Sequence, residues 1–371
     1  MSFLHALNPN KVKAELEQYL MCLFAPSKFG KTTFLYDLAM KYYGGDLSKM
    51  LLLGTEVGYK ALNGIHALPI SVFEYVEEDD EDEDEEVKEE KTDNDARGFV
   101  EVIDELIENR KTIPYKLIVI DTITALEDLA EKHIIKKQKI KSTAKIEDIS
   151  DIAYGKGYNL VADVIYEQID RLKKAGFGVF IIGHSKTKKV EQRDGSSYDL
   201  TTLNCLGKTS DIVLRESDLI IYGDLVTTAK KGVAKSERFL RFRSEGNVIC
   251  GSRFRHMPDK INNSVDEFLE AFENAVLKEY DNDEKAVEKA KAEQKVETER
   301  QAEKFAKTQK AEMTAEEMHA WLKESIGTLK PVQKRKLKGI FEKTLGTTDY
   351  TSVEDVDVLK QGVEAVKELI G

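Results

Sequence analysis

No run of apolar residues reaches the roughly 18 needed to cross a bilayer, so no membrane-spanning helix is expected. Cysteine is scarce: 3 in 371 residues. Cys22, Cys205 and Cys250 lie far apart, and there is no Cys-x-x-Cys pair. Neither a zinc site nor a disulfide framework is expected from such spacing. A reducing, cytoplasmic setting is the expectation. The opening Met1-Ser2-Phe3-Leu4-His5-Ala6-Leu7 lacks the basic-then-apolar profile of a secretory leader. No fixed-period repeat marks a solenoid.

Charge is abundant but unevenly placed. The formal net charge is -12. Residues 77–95 hold fourteen acids and two lysines, so this stretch carries all of it. Outside it, 54 basic residues face 54 acidic ones. The acidic balance therefore reports one insert and does not argue against nucleic-acid binding. A run of like charges repels itself, which predicts a solvated, disordered segment at 77–95. A solubilising insert and a DNA-mimicking or partner-binding tail are its two readings.

Short apolar runs alternate with helical patterns through residue 258. Strands are expected at 19–24, 50–53, 70–76, 116–120, 178–182, 218–222 and 238–243, and helices at 31–43, 96–110 and 159–174. A lysine-rich helical and loop region covers 126–152. Residues 186–206 read as a polar loop containing Asp194-Gly195, a hairpin-turn signal. This alternation predicts an α/β fold with a mostly parallel central sheet covered on both faces. Residues 264–313 then read as a charged helical linker, and 314–371 as a small all-α domain with a basic run at 330–338 and the lone Trp321. Residues 1–18 form a lead-in with one short helical pattern at 12–18.

Chemistry concentrates where apolar runs end. Ala25-Pro26-Ser27-Lys28-Phe29-Gly30-Lys31-Thr32-Thr33 stands between a predicted strand and a predicted helix. Backbone N–H groups that converge at a helix N-terminus cradle phosphate. Gly30 permits close approach, Lys31 brings charge to the β- and γ-phosphates, and the Thr32 hydroxyl suits Mg²⁺. The strict pattern opens on Gly, where this chain has Ala25. Asp121 closes the run Leu117-Ile118-Val119-Ile120, as a metal-holding carboxylate does beside a P-loop. Glu56, in Thr55-Glu56-Val57-Gly58, is placed to polarise an attacking water. His184, in Ile181-Ile182-Gly183-His184-Ser185, is placed to sense the γ-phosphate. ATP and Mg²⁺ are the cofactors expected.

Two basic segments follow these strand ends: Lys186, Lys188, Lys189 and Arg193 after His184, and Lys136, Lys137, Lys139 and Lys141 after Asp121. Both are candidates for sequence-independent contact with single-stranded DNA. Aromatic interleaving is thin, with Tyr154, Tyr158 and Tyr198 as the stacking candidates. Lys208, Arg253 and Arg255 are candidates for a charge inserted into a neighbouring protomer's site.

The stretch from Ala25 to Thr33, with its proline and double threonine, resembles the P-loop of the RecA superfamily. Glu56, Asp121 and His184 follow in RecA order, His184 standing where RecA has Gln. The chain closely resembles phage-type RecA-like AAA-domain ATPases, a group that includes single-strand annealing and recombination proteins. The resemblance covers residues 19–258, including the late run from Gly251 to Pro258. It implies a RecA-like core over 19–263, ATP bound between protomers of a ring or filament, and a DNA-contacting loop after His184. It also implies a protomer-linking role for residues 1–18, and a phage or host replication or recombination partner in an infected bacterial cell. ATP-dependent single-strand annealing or recombination is the function expected. A helicase-like motor or loader is one alternative. A replication adaptor acting through the C-terminal helices is another.

Overall fold

The structure is a computed structural model and describes residues 10–75, 97–141, 146–230, 233–309, 315–329, 331–353 and 356–370. The acidic stretch 77–95, expected to be disordered, lies outside the described residues, as do residues 1–9. The chain divides into a larger unit that ends at Ala306 and a smaller one from Lys307 to Gly371.

The larger unit is α/β. In chain order it runs β1 (Leu20–Ala25), α1 (Lys31–Tyr42), β2 (Met50–Gly54), β3 (Ala67–Val72), β4 (Arg97–Gly98), α2 (Phe99–Glu108) and β5 (Leu117–Asp121). Then come α3 (Ile123–Lys141), α4 (Lys156–Lys174), β6 (Gly178–Glu191), β7 (Ser197–Leu203), α5 (Gly207–Glu216), β8 (Leu219–Lys230) and β9 (Val233–Arg241). It closes with β10 (Gly251–Ser252), β11 (Lys260–Asn262), α6 (Val265–Glu279) and α7 (Glu284–Gln309).

The strands lie in the order β11-β9-β8-β1-β6-β5-β2-β3-β4, with β7 on β6 and β10 on β8. Every pairing from β8 across to β4 is parallel. The pairings of β9, β11, β10 and β7 are antiparallel. One strand, β6, separates the P-loop strand β1 from β5, which ends in Asp121.

The central strands β1, β2 and β5 are buried at every position because successive side chains enter opposite faces and both faces are covered. Leu20, Cys22, Phe24, Ile118, Ile120, Val179 and Ile181 pack on one face with Phe99, Ile103, Val161 and Ile165. Met21, Leu23, Val119, Phe180 and Ile182 pack on the other with Phe34, Leu38, Phe268 and Phe272. Each fully buried side chain of this size contributes about 1.5–3 kcal/mol.

Three expectations need correction. The stretch that begins at residue 264 is not a linker at its start. Val265, Phe268, Phe272, Ala275 and Val276 of α6 are buried in the core against α1 and the sheet. Their spacing places one apolar stripe on a helix whose other faces are charged. Residues 10–18 are tied to α7 of their own chain. Gln294 of α7, 7% exposed, accepts from the Ala14 N–H at 3.0 Å and donates to the Val12 carbonyl at 2.8 Å. Instead of a helix over 12–18, only a single 3₁₀ turn, Leu16–Gln18, forms there. Lastly, residues 186–206 are not an open loop: β6 continues past the sheet and pairs with β7 from Ser185↔Leu203 to Glu191↔Ser197, with the turn at Asp194-Gly195 where the hairpin signal put it.

In the smaller unit, α8 (Ala315–Thr328), α9 (Pro331–Thr344) and α10 (Val356–Ile370) enclose Met318, Leu322, Leu337, Phe341, Leu359 and Val366. Trp321 packs partly buried against this small core. No helix among the described residues is long and apolar enough to cross a membrane.

Candidate active site

β1 stops at Ala25, which is level with His184 on β6. The chain then turns through Lys28 at φ 62° and Gly30 at φ 102° before α1 begins at Lys31. Gly30 is needed for this left-handed turn rather than for space, since a side chain there would meet nothing within 4 Å. Ala25, in the place of the expected glycine, is accommodated from the side. A Cβ on Gly223 of β8 would come within 2.7 Å of both Ala25 Cβ and Phe29 Cε1. The first turn of α1, from Lys31, opens toward the loop with backbone N–H groups that have no partner within the helix.

Lys31 is 7% exposed. Its Nζ lies 3.3 Å from the carbonyl oxygens of Ala25 and Pro26. Burial lowers its pKa, opposed by the carboxylates of Asp121 and Glu56. Thr32 Oγ1 donates to Asp121 Oδ2 at 2.7 Å across the sheet. Asp121 is 3% exposed, and burial raises its pKa against the hydrogen bond from Thr32.

The donor set fits Mg²⁺. One hydroxyl and one carboxylate face the phosphate cradle, and Mg²⁺ completes its shell with phosphates and water rather than with a protein cage. Among the described residues no cluster of three or more His, Cys, Asp or Glu could hold a metal alone. Gly58 keeps the space beside the pair open: a Cβ there would stand 3.5 Å from Thr32 Oγ1 and 4.0 Å from Asp121 Oδ2.

Glu56 and His184 meet over the loop. His184 Nε2 is 3.0 Å from Glu56 Oε1, and Thr122 Oγ1 donates to the same oxygen at 2.8 Å. His184 Nδ1 lies 3.4 Å from Lys31 Nζ and 3.3 Å from Ser27 Oγ. An ammonium can only donate, so Nδ1 accepts and Nε2 carries the proton toward Glu56. The ring thus bridges the lysine of the phosphate cradle to the carboxylate. The end of β2 is tied to the end of β5 as well. Thr55 and Glu56 N–H both donate to the Asp121 carbonyl, at 2.9 and 3.2 Å, and Thr55 Oγ1 pairs with the Thr122 backbone.

Sequence reasoning missed Thr55, Thr122, Gly58 and Gly223. Thr122 had a local signal, a hydroxyl directly after the carboxylate that ends β5. Gly223 had none, because its reason lies on another strand.

The other candidates are scattered. Lys188, Lys189 and Arg193 are exposed on the β6–β7 arm, with Asp199 directly opposite Lys189. Lys186 does not join them: its ammonium donates to the Cys205 carbonyl at the base of the arm. The second basic segment is a helix, and it leads away from the site. By His133, α3 has reached Glu74 beyond the end of β3, where Lys137 also lies 3.7 Å from Glu74. Lys136 and Lys139 share that far end, and Lys141 is its last residue. Arg253 is held in its own chain. It pairs with Asp218 at 2.8 Å and donates to the Arg215 carbonyl at 2.7 Å, while Asp218 accepts from the Leu20 N–H at the start of β1. Arg255, and Lys208 in the first turn of α5, remain exposed.

Comparison with curated proteins gives no match. A family model described as an AAA domain matches residues 17–254, from the turn before β1 through the strands that frame the P-loop, and the chain belongs to that family of P-loop ATPases.

Proposed function

We propose that this protein hydrolyses ATP at the P-loop, with Glu56 as the group that orients and deprotonates water, and that it couples the nucleotide state to single-stranded DNA held along the β6–β7 arm. One observation carries the coupling: His184, in contact with both Lys31 and Glu56, sits in the same continuous strand as Lys188 and Lys189.

The first turn of α1 and Lys31 would bind the phosphates. Thr32 and Asp121 would hold Mg²⁺, which when bound neutralises charge on the β- and γ-oxygens. Glu56 would take the proton of the water, its orientation fixed by the Thr122 hydroxyl and the His184 N–H. When the γ-phosphate leaves, the His184 ring loses its neighbour and β6 shifts with it, which changes the grip of the arm on DNA. We read the biological role as annealing or recombination in a self-assembling, phage-type ATPase. Arg255 and Lys208 are the cations offered to a neighbouring protomer.

The measurement is ATP hydrolysis with and without single-stranded DNA, in the wild type and in His184→Ala. DNA should stimulate the wild type and not the variant. Equal stimulation of both overturns the coupling route. A second reading, a loader or remodelling ATPase with a protein partner, is favoured by the acids on the arm. Glu191, Asp194 and Asp199 offset much of the charge of Lys186, Lys188, Lys189 and Arg193. Hydrolysis indifferent to DNA supports that reading.

A further inference from the structure

The three helices of the smaller unit divide its charge unevenly. α9 carries five basic residues and one acid, Glu342. α8 carries three acids and one lysine, and α10 three acids and two lysines. The long helix α7 shows the ordinary pattern of a solvated face. It has seven basic residues and six acids, and Lys289, Lys291 and Arg300 pair with Glu293, Glu288 and Glu297 about one turn away. On α9, Lys334 donates to the Gly327 carbonyl at 3.1 Å, at the end of α8. Arg335, Lys336, Lys338 and Lys343 are exposed, and none of the four pairs with an acid among the described residues.

The four cations share one side of the helix. Leu337 and Phe341 are buried in the core of the unit, and the basic side lies opposite them. Gly339 sits at its centre, four residues from Arg335 and four from Lys343. Glycine inside a helix weakens it more than any residue but proline. Packing within the chain does not call for one here: Gly339 is exposed, and a Cβ there would meet nothing within 4 Å. Its φ is not positive, so the backbone does not call for glycine either. What the glycine does is leave a gap in the side-chain layer, where another backbone can come close.

We infer that this face of α9 docks on the phosphate backbone of a nucleic-acid duplex, with Arg335, Lys336, Lys338 and Lys343 on phosphates and Gly339 admitting the strand between them. Regularly spaced phosphates of a stiff duplex complement cations held at helical spacing, and such contacts read no sequence. Surfaces for single strands add rings on which bases stack. None of the exposed residues of α9 is aromatic. The inference is independent of ATP hydrolysis and of the β6–β7 arm.

The test is fluorescence anisotropy of a labelled DNA duplex of about 30 base pairs, titrated with the nucleotide-free full chain across a range of salt. Trp321, the one tryptophan, packs in this unit, so its emission reports whether the unit stays folded. The triple variant Arg335→Gln, Lys336→Gln, Lys343→Gln should reduce the slope of log affinity against log salt by about 3 and weaken binding at low salt on the order of 10²-fold. Gly339→Gln should weaken binding several-fold while the melting temperature holds or rises, since glutamine is the better helix former. An unchanged slope in the triple variant with normal Trp321 emission overturns the inference. If that emission is altered, Gly339→Gln decides, and unchanged duplex affinity there overturns it. An equal or greater loss for a single strand of the same length overturns the choice of duplex. Equally tight binding of polyglutamate by the wild type overturns nucleic acid in favour of an acidic protein partner. Replacement of the β6–β7 arm should leave duplex binding in place; if it abolishes that binding while the triple variant keeps it, the arm is the site and the inference falls.

Discussion

The phosphate cradle and the β6–β7 arm share a strand but are built by different physics. At the cradle, Thr32 donates to Asp121, and hydrogen bonds link Lys31, His184, Glu56 and Thr122, with Lys31, Asp121 and Thr122 buried. On the arm, the pairing of β6 with β7 supplies the structure, and Lys188, Lys189 and Arg193 stand in solvent. Charges in the first place are strong and unforgiving, because desolvation magnifies them. Charges in the second are screened and individually weak. The contrast separates a network of mutually bonded groups from a set of independent surface charges.

The largest effect should come from the cradle. Glu56→Gln should keep nucleotide binding and lower ATP hydrolysis by about 10²–10⁴-fold. Steady-state turnover paired with calorimetry reads both quantities, and normal turnover would refute the base assignment. Replacing the arm between Ser185 and Leu203 with a tight turn should sharpen the contrast next. Basal hydrolysis should persist, while the response to single-stranded DNA disappears. Simultaneous loss of both would mean the arm supports the site rather than extending from it.

A smaller effect is expected at Thr122. Thr122→Ala removes a hydrogen bond to a carboxylate, and such bonds are worth about 1.5–3 kcal/mol. Turnover should fall by roughly one to two orders of magnitude, with little change in nucleotide affinity. Smallest are the arm lysines. Lys188→Ala and Lys189→Ala should each weaken DNA binding at low salt and reduce the slope of log affinity against log salt by about 1.

The buried carboxylate at Asp121 offers a test of opposite sign. Burial raises its pKa, so the native state holds its proton to higher pH than the unfolded chain does. Stability of the nucleotide-free protein therefore falls as pH rises through the folded pKa of this group. Asp121→Asn should raise the melting temperature of the nucleotide-free protein at neutral pH and abolish hydrolysis. Excess Mg²⁺ and ATP should stabilise the wild type more than the variant. A variant that melts lower than the wild type without nucleotide would show that Asp121 stabilises the fold rather than burdening it.

How readily each part could be read from sequence follows the range of its interactions. The P-loop, Asp121, Glu56 and His184 were legible because each follows or ends an apolar run, and strand ends are where a parallel sheet presents its chemistry. The β6–β7 arm was legible only at its turn, Asp194-Gly195, since its strands are mostly polar and exposed. The stripe on α6 was hidden by its charged neighbours, although Phe268 and Phe272 are fully or almost fully buried. The lysines of α3 looked near the nucleotide because they follow Asp121, but a helix carries them past β3. Arg253 looked free because its partner Asp218 is 35 residues away.

By itself, then, the sequence determined a mostly parallel α/β sheet, a P-loop between a strand and a helix, ionisable side chains at strand ends and a helical C-terminal region. Apolar periodicity and a contiguous loop motif encode these locally. Only the tertiary structure decided which charged groups act together. It closed the His184 bridge between Lys31 and Glu56 and withdrew Lys186 and Arg253 into pairs of their own. Contacts between residues far apart in the chain depend on how the strands are ordered and how the helices pack. That order leaves no mark in any short stretch of residues.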